Sequence, residues 1–385
     1  MNVVHIITGL NQGGAETMLA KIVGSVRTWR HSVVSLTGSG PLAGPMEEGG
    51  ASIHSLDLKS LRGIAGAGGR LPWLIRKLQP DLIQGWMAHG NLAASYAQIF
   101  SPSAPLVWNV RQSLGDLRYM KPATRKILKL CAAFSQRPAA IIYNSQAGAE
   151  QHEALGFPAS RRRIIANGFD TSQFSSDPAQ RAETRRALGI APDDIVIGLI
   201  ARFHPMKNHI GFLDAAARIL QRYPQARFLL AGPGVSDLNP EFQSLLGNSR
   251  VRDRSLFLGE RADMPKLTGA LDIACNVSVH GEGFPNAIGE AMACEVPCIV
   301  TPQGDSVRIV GDAGAVCADG DDCTIAAAVC GMIAAGPAKM AAMGALGRKR
   351  VIDHYSIESI AAQYEGAYSD IVAHHRFGAP IRPSS

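Results

Sequence analysis

The sequence predicts an α/β protein built from two doubly wound parallel sheets. Short apolar segments of strand length alternate with segments of helical length along the whole chain, a pattern typical of parallel sheets covered by helices. The length of 385 residues exceeds what one hydrophobic core usually organises, so two domains are expected. The polar, proline-bearing segment Ser175-Ser-Asp-Pro-Ala-Gln180 marks the boundary between them.

The predicted strands fall into two sets, one on each side of that segment. In the first domain, residues 1–175, they are 3–8, 32–36, 52–55, 81–84, 106–109, 140–143 and 163–166. In the second domain, residues 176–360, they are 195–201, 226–231, 254–258, 272–276, 297–301 and 314–317. Helices are expected between the strands, and a C-terminal helix at about 360–377 is expected to pack back on the first domain.

Composition favours a cytoplasmic enzyme. No uncharged apolar stretch reaches eighteen residues, so no conventional transmembrane helix is expected. Met1-Asn-Val-Val-His enters a strand at once, without the basic and apolar regions of a signal peptide. Seven scattered cysteines indicate reduced thiols, and we expect Cys294 and Cys298 to serve packing rather than zinc binding.

Two carboxylates lie eight residues apart in Gly281-Glu-Gly-Phe-Pro-Asn-Ala-Ile-Gly-Glu290, where a loop is predicted to become a helix. Asn286 is the expected N-cap, and the helix N-terminus would favour an anion such as a diphosphate. Glu282 would accept hydrogen bonds from sugar hydroxyls, and Glu290 would reach a ribose diol. Taken alone, such a pair is more often a solvated loop residue and a partner of the helix dipole.

The run from Glu282 to Asn286, followed by Glu290-Ala-Met and Val296-Pro297, resembles the donor-site motif of the retaining glycosyltransferases of family four. The resemblance implies the GT-B architecture, in which two Rossmann-like domains face each other across a cleft. It also implies a UDP- or GDP-sugar as donor and no cofactor. The donor would be bound by Gly283, Phe284, Pro285, Asn286 and Glu290. Two departures stand out, because Glu295 replaces the usual Gly and Val277-Ser278 replaces the usual Pro-Ser.

Other segments resemble motifs of the same family in the expected order. After the first strand, Gly13 and Gly14 would let the backbone approach a phosphate or sugar closely. In the second domain, the Arg-x4-Lys-Asn element ends in Arg202 and Lys207, whose fixed charges would stabilise the departing diphosphate. A glycine pair or a basic pair alone is weak evidence, and the order of the motifs gives them weight.

Three further residues follow predicted strands. His89 would sit at a carboxyl end of the first sheet, where the resemblance implies a histidine that contacts the transferred sugar; the alternative is a structural histidine. Arg111 would line the same edge as an acceptor or phosphate contact, or belong to a salt-bridged loop. Arg261 lies where the family holds the nucleotide base. Asn167 and Asp170 are expected to be structural turn residues.

These observations predict a retaining hexosyltransferase that transfers a sugar to a glycan or lipid-linked acceptor in cell-surface polysaccharide or lipopolysaccharide biosynthesis. The resemblance implies that Arg202, Lys207 and helix N-termini take the place of a metal ion. No Asp-x-Asp run of the kind that binds a divalent ion in other glycosyltransferases is expected, so metal independence is predicted. The catalytic set would be His89, Arg202, Lys207 and Glu282. A nucleotide-sugar epimerase and a non-catalytic nucleotide-sugar-binding protein are the alternatives.

Charge is distributed unevenly along the chain. Residues 1–175 hold 18 basic and 9 acidic residues, a net charge of +9, whereas the remainder carries −3. Much of the excess lies in the segment 118–130 and in Arg161-Arg-Arg163. Arg118, Lys121, Arg125, Lys126 and Lys129 predict a basic amphipathic helix that rests on an anionic membrane surface, although a solvated helix face is the alternative. No nucleic-acid-binding motif appears.

Overall fold

The computed structural model describes residues 1–58, 61–115, 120, 122–246 and 249–378. The chain forms two compact units. The first unit comprises Met1–Gly168 together with Ile357–Ser385, and the second comprises Phe169–Ser356. These divisions lie near the boundaries predicted from the sequence, 175/176 and 360.

The first unit contains a parallel sheet of seven strands in the order β3-β2-β1-β4-β5-β6-β7. The strands are β1 Asn2–Ile7, β2 Arg30–Ser35, β3 Ser52–Ser55, β4 Leu82–Trp86, β5 Leu106–Val110, β6 Ala140–Tyr143 and β7 Arg162–Ile164. The helices are α1 Gly14–Ser25, α2 Ala43–Glu48, α3 Leu61–Leu78, α4 Met87–Gln98, α5 Pro122–Phe134, α6 Gln146–Glu153 and, from the far end of the chain, α16 Ile357–Phe377.

The second unit contains a parallel sheet of six strands in the order β10-β9-β8-β11-β12-β13. The strands are β8 Ile195–Ile200, β9 Ala226–Ala231, β10 Ser255–Phe257, β11 Ile273–Asn276, β12 Cys298–Val300 and β13 Gly314–Val316. The helices are α7 Pro178–Ala187, α8 His209–Arg222, α9 Pro240–Gln243, α10 Ser249–Asp253, α11 Met264–Gly269, α12 Asn286–Ala293, α13 Ser306–Val310, α14 Asp322–Ala334 and α15 Pro337–Tyr355.

The predicted fold class, two doubly wound parallel sheets, is confirmed, and every predicted strand has a counterpart in the structure. The reason lies in burial on both faces. Along β1, Val3 and Ile7 belong to the core shared with α1 and α16, whereas Val4 and Ile6 belong to the core under α3, α4 and α5. Alternate residues of a strand point to opposite faces, so strands covered on both sides are continuously apolar and easily detected.

Helix α16 completes the core of the first unit. Its side chains Tyr364 and Tyr368 are fully buried. The Nδ2 group of Asn109 donates a hydrogen bond of 2.8 Å to the hydroxyl of Tyr364, and the hydroxyl of Tyr368 donates one of 2.6 Å to Oε1 of Gln84. The C-terminal helix is therefore joined to β4 and β5 by buried polar contacts as well as by packing.

Glu295 occupies a backbone conformation that explains the family's preference for glycine. Its φ is +60°, in the left-handed region that side chains other than those of Gly and Asn rarely adopt. The side chain is 41% exposed, and its Oε1 lies 4.0 Å from Nε of Arg348. The side chain therefore points outward, and the cost of Glu295 is backbone strain rather than a steric clash.

A chain of hydrogen bonds fixes two buried histidines of the first unit in the neutral state. Trp86 Nε1 donates to Nδ1 of His5 over 3.1 Å, His5 Nε2 and His31 Nδ1 are 2.9 Å apart, and His31 Nε2 lies 2.8 Å from the carbonyl of Val26. Each ring then carries its proton on Nε2. Burial is the main cause that lowers the pKa of both histidines.

Acid should destabilise the protein before its carboxylates titrate. Burial, among the rings of Phe203 and Phe242, lowers the pKa of His209 to about 4, against about 6.5 in an unfolded chain. The unfolded state therefore binds the proton first as the pH falls. The contribution of His209 is complete above pH 6.5 and is lost between about pH 6.5 and 4, amounting to about 3 kcal/mol.

This prediction is checked by urea unfolding of the parent and His209→Leu at several pH values from 7 to 4.5. We expect the variant to lose less stability than the parent over this range. The exposed His375 provides the control, because His375→Leu should keep the parental pH dependence. Parallel curves for the parent and His209→Leu would contradict the assignment.

All seven cysteines are free, and Cys294 and Cys298 are buried, as expected of packing residues. Over the part of the chain that the structure describes, no single helix has the length and apolar character needed to cross a membrane. One bent pair, Asp322–Ala334 with Pro337–Tyr355, meets those requirements jointly, with an angle of 106° between its helices.

Candidate active site

The loops that follow the strands of the second unit meet at one edge of its sheet. Because all its strands are parallel, their carboxyl ends lie on the same side, which is where doubly wound sheets bind ligands. This edge carries Arg202 and Lys207 after β8, Arg261 after β10, and Glu282 after β11. The sequence motifs of the second domain are therefore brought together by the topology.

Arg202 and Lys207 stand at either end of a tight turn. Arg202 is exposed, and its guanidinium lies 3.9 Å from the sulfur of Met206. After Lys207 the chain turns sharply at Asn208, whose φ is +58° and whose Oδ1 accepts a hydrogen bond of 3.3 Å from the amide of Gly211 to cap α8. Asparagine tolerates this left-handed conformation better than most residues, so the Lys-Asn pair has a structural reason.

Lys207 and Glu282 form an ion pair between Nζ and Oε1, and both side chains are largely buried, with exposed fractions of 17% and 7%. The hydroxyl of Ser278 donates a hydrogen bond of 2.6 Å to the same carboxylate oxygen. Ser278 is held in turn by Thr301, whose hydroxyl donates 2.6 Å to the Ser278 carbonyl. Oε1 of Glu282 is thus fixed by two donors, which sets the orientation of the whole carboxylate.

The cationic side chains around the turn from Arg202 to Lys207 repel one another. The pKa of His204 is lowered, first by partial burial and then by the neighbouring charges of Arg202, His280 and Lys207. The loop therefore concentrates cationic groups beside α12. Such a cluster suits an anion of more than one charge, as a diphosphate is.

Helix α12 begins at Asn286, and Pro285 occupies the cap position with an extended backbone and no side-chain capping bond. The prediction that Asn286 is the N-cap was wrong, because proline fixes the residue before the helix and Asn286 becomes the first helical residue. Glu290 lies in the second turn and is partly exposed. The exposed Asn286 and partly exposed Gly283 remain at the helix entrance.

Phe284 is a packing residue in this structure. It is 8% exposed and lies between the ring of Phe169, stacked at 6.1 Å, and that of Tyr355, at 5.6 Å. A Cβ on Gly289 in α12 would overlap the ring of Phe169. The loop before α12 is therefore supported by an aromatic stack that fits only because α12 has no side chain at position 289.

A second glycine supports the loop from the other side. Gly304 follows β12 with a φ of +57°, and a Cβ there would lie 2.6 Å from the carbonyl oxygens of Glu282 and Gly283. The amide of Asp305 donates a hydrogen bond of 2.9 Å to the Gly283 carbonyl. The segment after β12 therefore holds the backbone of the motif in place.

Arg261 is engaged by its neighbour. Its Nε and Nη2 groups bind the two carboxylate oxygens of Asp263 at 2.8 and 2.7 Å. Both side chains are exposed, at 41% and 36%. The guanidinium of Arg261 is therefore close to the solvent, but its Nε and Nη2 groups are already bound to Asp263. A role of Arg261 in holding the base stays a prediction.

In the first unit, the predicted residues lie at the carboxyl edge of its own sheet. Gly13 is the N-cap of α1, with extended backbone and no side-chain capping bond, and Gly14 is the exposed first helical residue. His89 is exposed in the first turn of α4 rather than in a loop. Gly90, beside it, has no room for a Cβ against the backbone of Ile6, which brings α4 close to β1.

Arg111 connects three parts of the first unit. Its guanidinium donates 2.8 Å to the hydroxyl of Tyr364 and also binds Oδ1 of Asn167, and it lies 5.8 Å from the ring centre of Trp86. Its pKa is lowered by burial, and within the described part of the chain it forms no ion pair. The alternative that Arg111 belongs to a salt-bridged loop is therefore not what the structure shows. A role of Arg111 in binding the acceptor or a phosphate stays a prediction.

Sequence reasoning missed Thr301 and Gly304, and it noted Ser278 without the role of its hydroxyl in orienting Glu282. Asp170 has its expected turn role, because its carboxylate accepts hydrogen bonds from the amides of Ser172 and Gln173. The expectation that the chain has no Asp-x-Asp run was wrong, because Asp319-Gly320-Asp321 is such a run. Among the described residues, the ligand atoms of Asp321, Asp322 and Cys323 lie close enough together to hold a metal ion. Asp321 also caps α14, and Asp322 pairs with Arg218.

Comparison with known families assigns both units. Residues 12–173 match the model of glycosyltransferase family 4, and residues 194–335 match that of the group 1 glycosyl transferases. The chain belongs to the family 4 glycosyltransferases. The expected family, the GT-B fold and the transferase activity are thereby confirmed.

Relatives of this glycosyltransferase include EpsF of Bacillus subtilis, a protein named as a glycosyltransferase, with 26% identity over 81% of each chain. The Escherichia coli UDP-Gal:alpha-D-GlcNAc-diphosphoundecaprenol alpha-1,3-galactosyltransferase is 31% identical, but the alignment covers only 36% of each chain. Among solved structures, HepE of Anabaena in complex with UDP has a TM-score of 0.84 at 23% identity, covering 96% of this chain and 100% of that one. HepE has also been solved with UDP-glucose.

Proposed function

We propose that this glycosyltransferase transfers a hexose from a UDP-sugar to a lipid-linked glycan, with retention of configuration, in the assembly of a cell-surface polysaccharide. The observation that carries the proposal is the site at the edge of the second sheet, where Lys207 pairs with Glu282 shortly before α12 begins and Arg202 lies at the other end of the Lys207 turn. HepE, with its bound UDP and UDP-glucose, supports the choice of UDP over GDP. The diphosphoundecaprenol substrate named for the Escherichia coli enzyme supports the acceptor class.

The ion pair between Lys207 and Glu282 must change when the donor binds. Lys207 neutralises Glu282 in the ligand-free site, and a donor diphosphate would share or replace that carboxylate as the partner of the ammonium group. Ser278 keeps Oε1 of Glu282 oriented throughout. The carboxylate is then available to accept hydrogen bonds from hydroxyls of the transferred sugar, so diphosphate and sugar are positioned by groups in direct contact.

In the transfer step, the bond between the anomeric carbon and the diphosphate oxygen breaks, and its electron pair goes to that oxygen. Arg202, Lys207 and the amides at the start of α12 stabilise the developing negative charge. The acceptor hydroxyl forms the new glycosidic bond on the face that the diphosphate leaves and gives its proton to the departing phosphate. Retention follows from attack and departure on the same face.

The proposal is tested by incubating the purified protein with UDP-, GDP- and ADP-sugars, with and without a polyprenyl-diphosphate-linked sugar. We expect release of UDP that depends on the lipid-linked acceptor, and an α or β product matching the donor. Preference for a GDP-sugar would overturn the choice of base. Turnover of the donor to its epimer, with no coupling to an acceptor, would overturn the transferase proposal.

The two carboxylates of the motif should have separable roles. Glu290→Ala should weaken binding of free UDP and of the whole donor by similar factors, because Glu290 is expected to hold the ribose. Glu282→Ala should leave UDP binding largely intact and impair binding and turnover of the UDP-sugar. Titration calorimetry with both ligands measures this, with the exposed Glu241→Ala as control. Equal losses for both variants with both ligands would refute the division.

We also propose that the enzyme works in the cytoplasm, attached reversibly to the inner face of the membrane, where a polyprenyl-linked acceptor resides. The net charge of +9 in residues 1–175 supports attraction to anionic lipid. Of the basic segment predicted to bind it, Arg118 and Lys121 lie outside the described residues. In the second basic cluster, Arg162 pairs with Glu153 and Arg163 is buried, so that cluster serves the fold.

A further inference from the structure

Three consecutive helices form one layer on the first sheet. Helices α3, α4 and α5 contact one another in that order. Each contributes to the same core, through residues such as Leu74, Ala94 and Leu128. Helices α1 and α16 pack in the core on the opposite face of the sheet. The outer surfaces of α3, α4 and α5 therefore make one continuous face of the first unit.

Together, helices α3, α4 and α5 carry positive charge and no negative charge, whereas α6, whose Ala149 belongs to the same core, carries Glu150 and Glu153. Residues 58–149 contain 12 lysines and arginines but only two acidic residues, Asp81 and Asp116, and neither lies in α3, α4 or α5. In the second unit, by contrast, Arg181 and Arg185 of α7 are both paired with Asp272. Lys126 and Lys129 of α5 are exposed and have no such partner among the described residues. A layer that served only solubility would gain stability from acidic partners at neighbouring positions.

The same face exposes large apolar side chains. The exposed fractions are 61% for Trp73, 53% for Ile99, 47% for Leu130 and 39% for Phe134. They are interleaved with cations: Nζ of Lys77 lies 5.1 Å from the ring centre of Trp73, and Lys126 and Lys129 lie on the same side of α5 as Leu130. Aromatic and aliphatic residues beside lysines are typical of surfaces that insert shallowly among lipid headgroups.

The apolar residues lie toward the C-terminal ends of their helices. Because these helices return antiparallel to the strands, their C-terminal ends lie at the amino edge of the sheet. Gly13, His89 and Arg111 follow strands at the carboxyl edge. A surface bound through Trp73, Ile99 and Leu130 would therefore leave that edge of the first unit accessible.

We propose that the outer face of α3, α4 and α5, defined by Trp73, Lys77, Ile99, Lys126, Lys129 and Leu130, binds an anionic phospholipid bilayer. Positive charge attracts the face to anionic headgroups, and Trp73, Ile99 and Leu130 enter the interface. The proposal extends the membrane attachment proposed above by assigning its surface, and it does not depend on the sugar or the base of the donor. Nucleic acid and an acidic protein are the competing partners, and the test separates them.

Trp73 provides a site-specific probe. Of the four tryptophans, Trp29, Trp86 and Trp108 are at most 4% exposed, so Trp73 is the one that responds to a change of surroundings. We expect vesicles of phosphatidylcholine with phosphatidylglycerol to shift its emission to shorter wavelength, and brominated lipid to quench it. Pure phosphatidylcholine should do neither. The Trp73→Phe variant identifies the source of the signal.

Matched variants test the charges and the apolar residues separately. Lys126→Gln with Lys129→Gln should weaken vesicle binding by roughly 25-fold at low salt, about fivefold for each charge. Lys266→Gln with Lys339→Gln, on exposed positions of the second unit, should leave it unchanged. Leu130→Ser should weaken binding that persists at moderate salt, whereas Leu346→Ser, with a similar exposure of 45%, should not.

Vesicle binding without a change in Trp73 emission would overturn the assignment of this face, and so would equal losses in the control variants. Absence of vesicle binding by the parent protein would overturn the proposal and show that this face is exposed only to solvent. Tighter binding to single-stranded RNA or polyglutamate than to vesicles at equal ionic strength would identify a different partner. UDP release with a soluble acceptor is measured alongside, because it should be the same in all these variants and reports on the proposed reaction alone.

Discussion

Arg202→Ala and Lys207→Ala should each lower turnover by roughly 2 to 4 kcal/mol of transition-state stabilisation, because each removes a fixed charge beside the departing diphosphate. Their effects on stability should differ. Arg202 is exposed, and among the described residues its side chain forms one weak hydrogen bond, to the sulfur of Met206, so its removal should leave the free energy of unfolding unchanged. Lys207 neutralises the buried Glu282, so its removal should also destabilise the second unit by about 1 to 3 kcal/mol.

Steady-state kinetics with the preferred donor and urea unfolding of the same preparations test both statements. Arg222→Ala, an exposed arginine on α8, is the control for loss of a positive charge in the second unit. Parental turnover in either variant would remove that residue from the reaction. A stable Lys207→Ala protein with parental unfolding free energy would show that the ion pair with Glu282 contributes nothing to the fold.

Gly289→Ala should weaken both UDP binding and the stability of the second unit, because it changes packing beneath the proposed donor site. The added Cβ would overlap the ring of Phe169, which stacks at 6.1 Å on Phe284 in the loop before α12. Overpacking of this kind costs about 1 to 3 kcal/mol, although alanine is the better helix former. We expect reduced stability of the second unit together with weaker binding of UDP, because the displaced ring would move Phe284 and the start of α12.

Gly331→Ala is the matched control. Gly331 also lies inside a helix, α14, but apart from the backbone of that helix no atom lies within 4 Å of the position of its Cβ. There the substitution should stabilise the protein by about 0.5 to 1 kcal/mol. Urea unfolding and UDP titration of both variants provide the measurement. Stabilisation by Gly289→Ala, or unchanged UDP binding in a destabilised variant, would contradict the proposed coupling.

The fold was predictable because its strands are buried on both sides. A run such as Val3 to Ile7 is apolar at nearly every position, so it is visible without knowledge of its neighbours. Parallel order and short loops then place the ends of the strands at one edge of each sheet. The resemblance to the family placed Lys207 and Glu282 in one site, and the structure pairs them although they are 75 residues apart in the sequence.

The supporting contacts were not predictable, because they depend on tertiary structure. Ser278 was noted only as part of a departure from the family motif, yet its hydroxyl orients Glu282. Asn286 has the properties of an N-cap, but the preceding proline determines where α12 begins. Arg111 binds Tyr364, which lies 253 residues later in the chain, and no local pattern indicates such a pair.

The return of α16 to the first unit has a consequence for synthesis of the protein. The ribosome completes Met1–Gly168 and then the whole of Phe169–Ser356 before it makes the helix whose Tyr364 and Tyr368 close the first core. At about 5 to 20 residues per second, the nascent first unit waits roughly ten seconds or more with an apolar face uncovered. The second unit is continuous in sequence and can fold during that interval. The part of the protein that emerges first is thus the last to be finished.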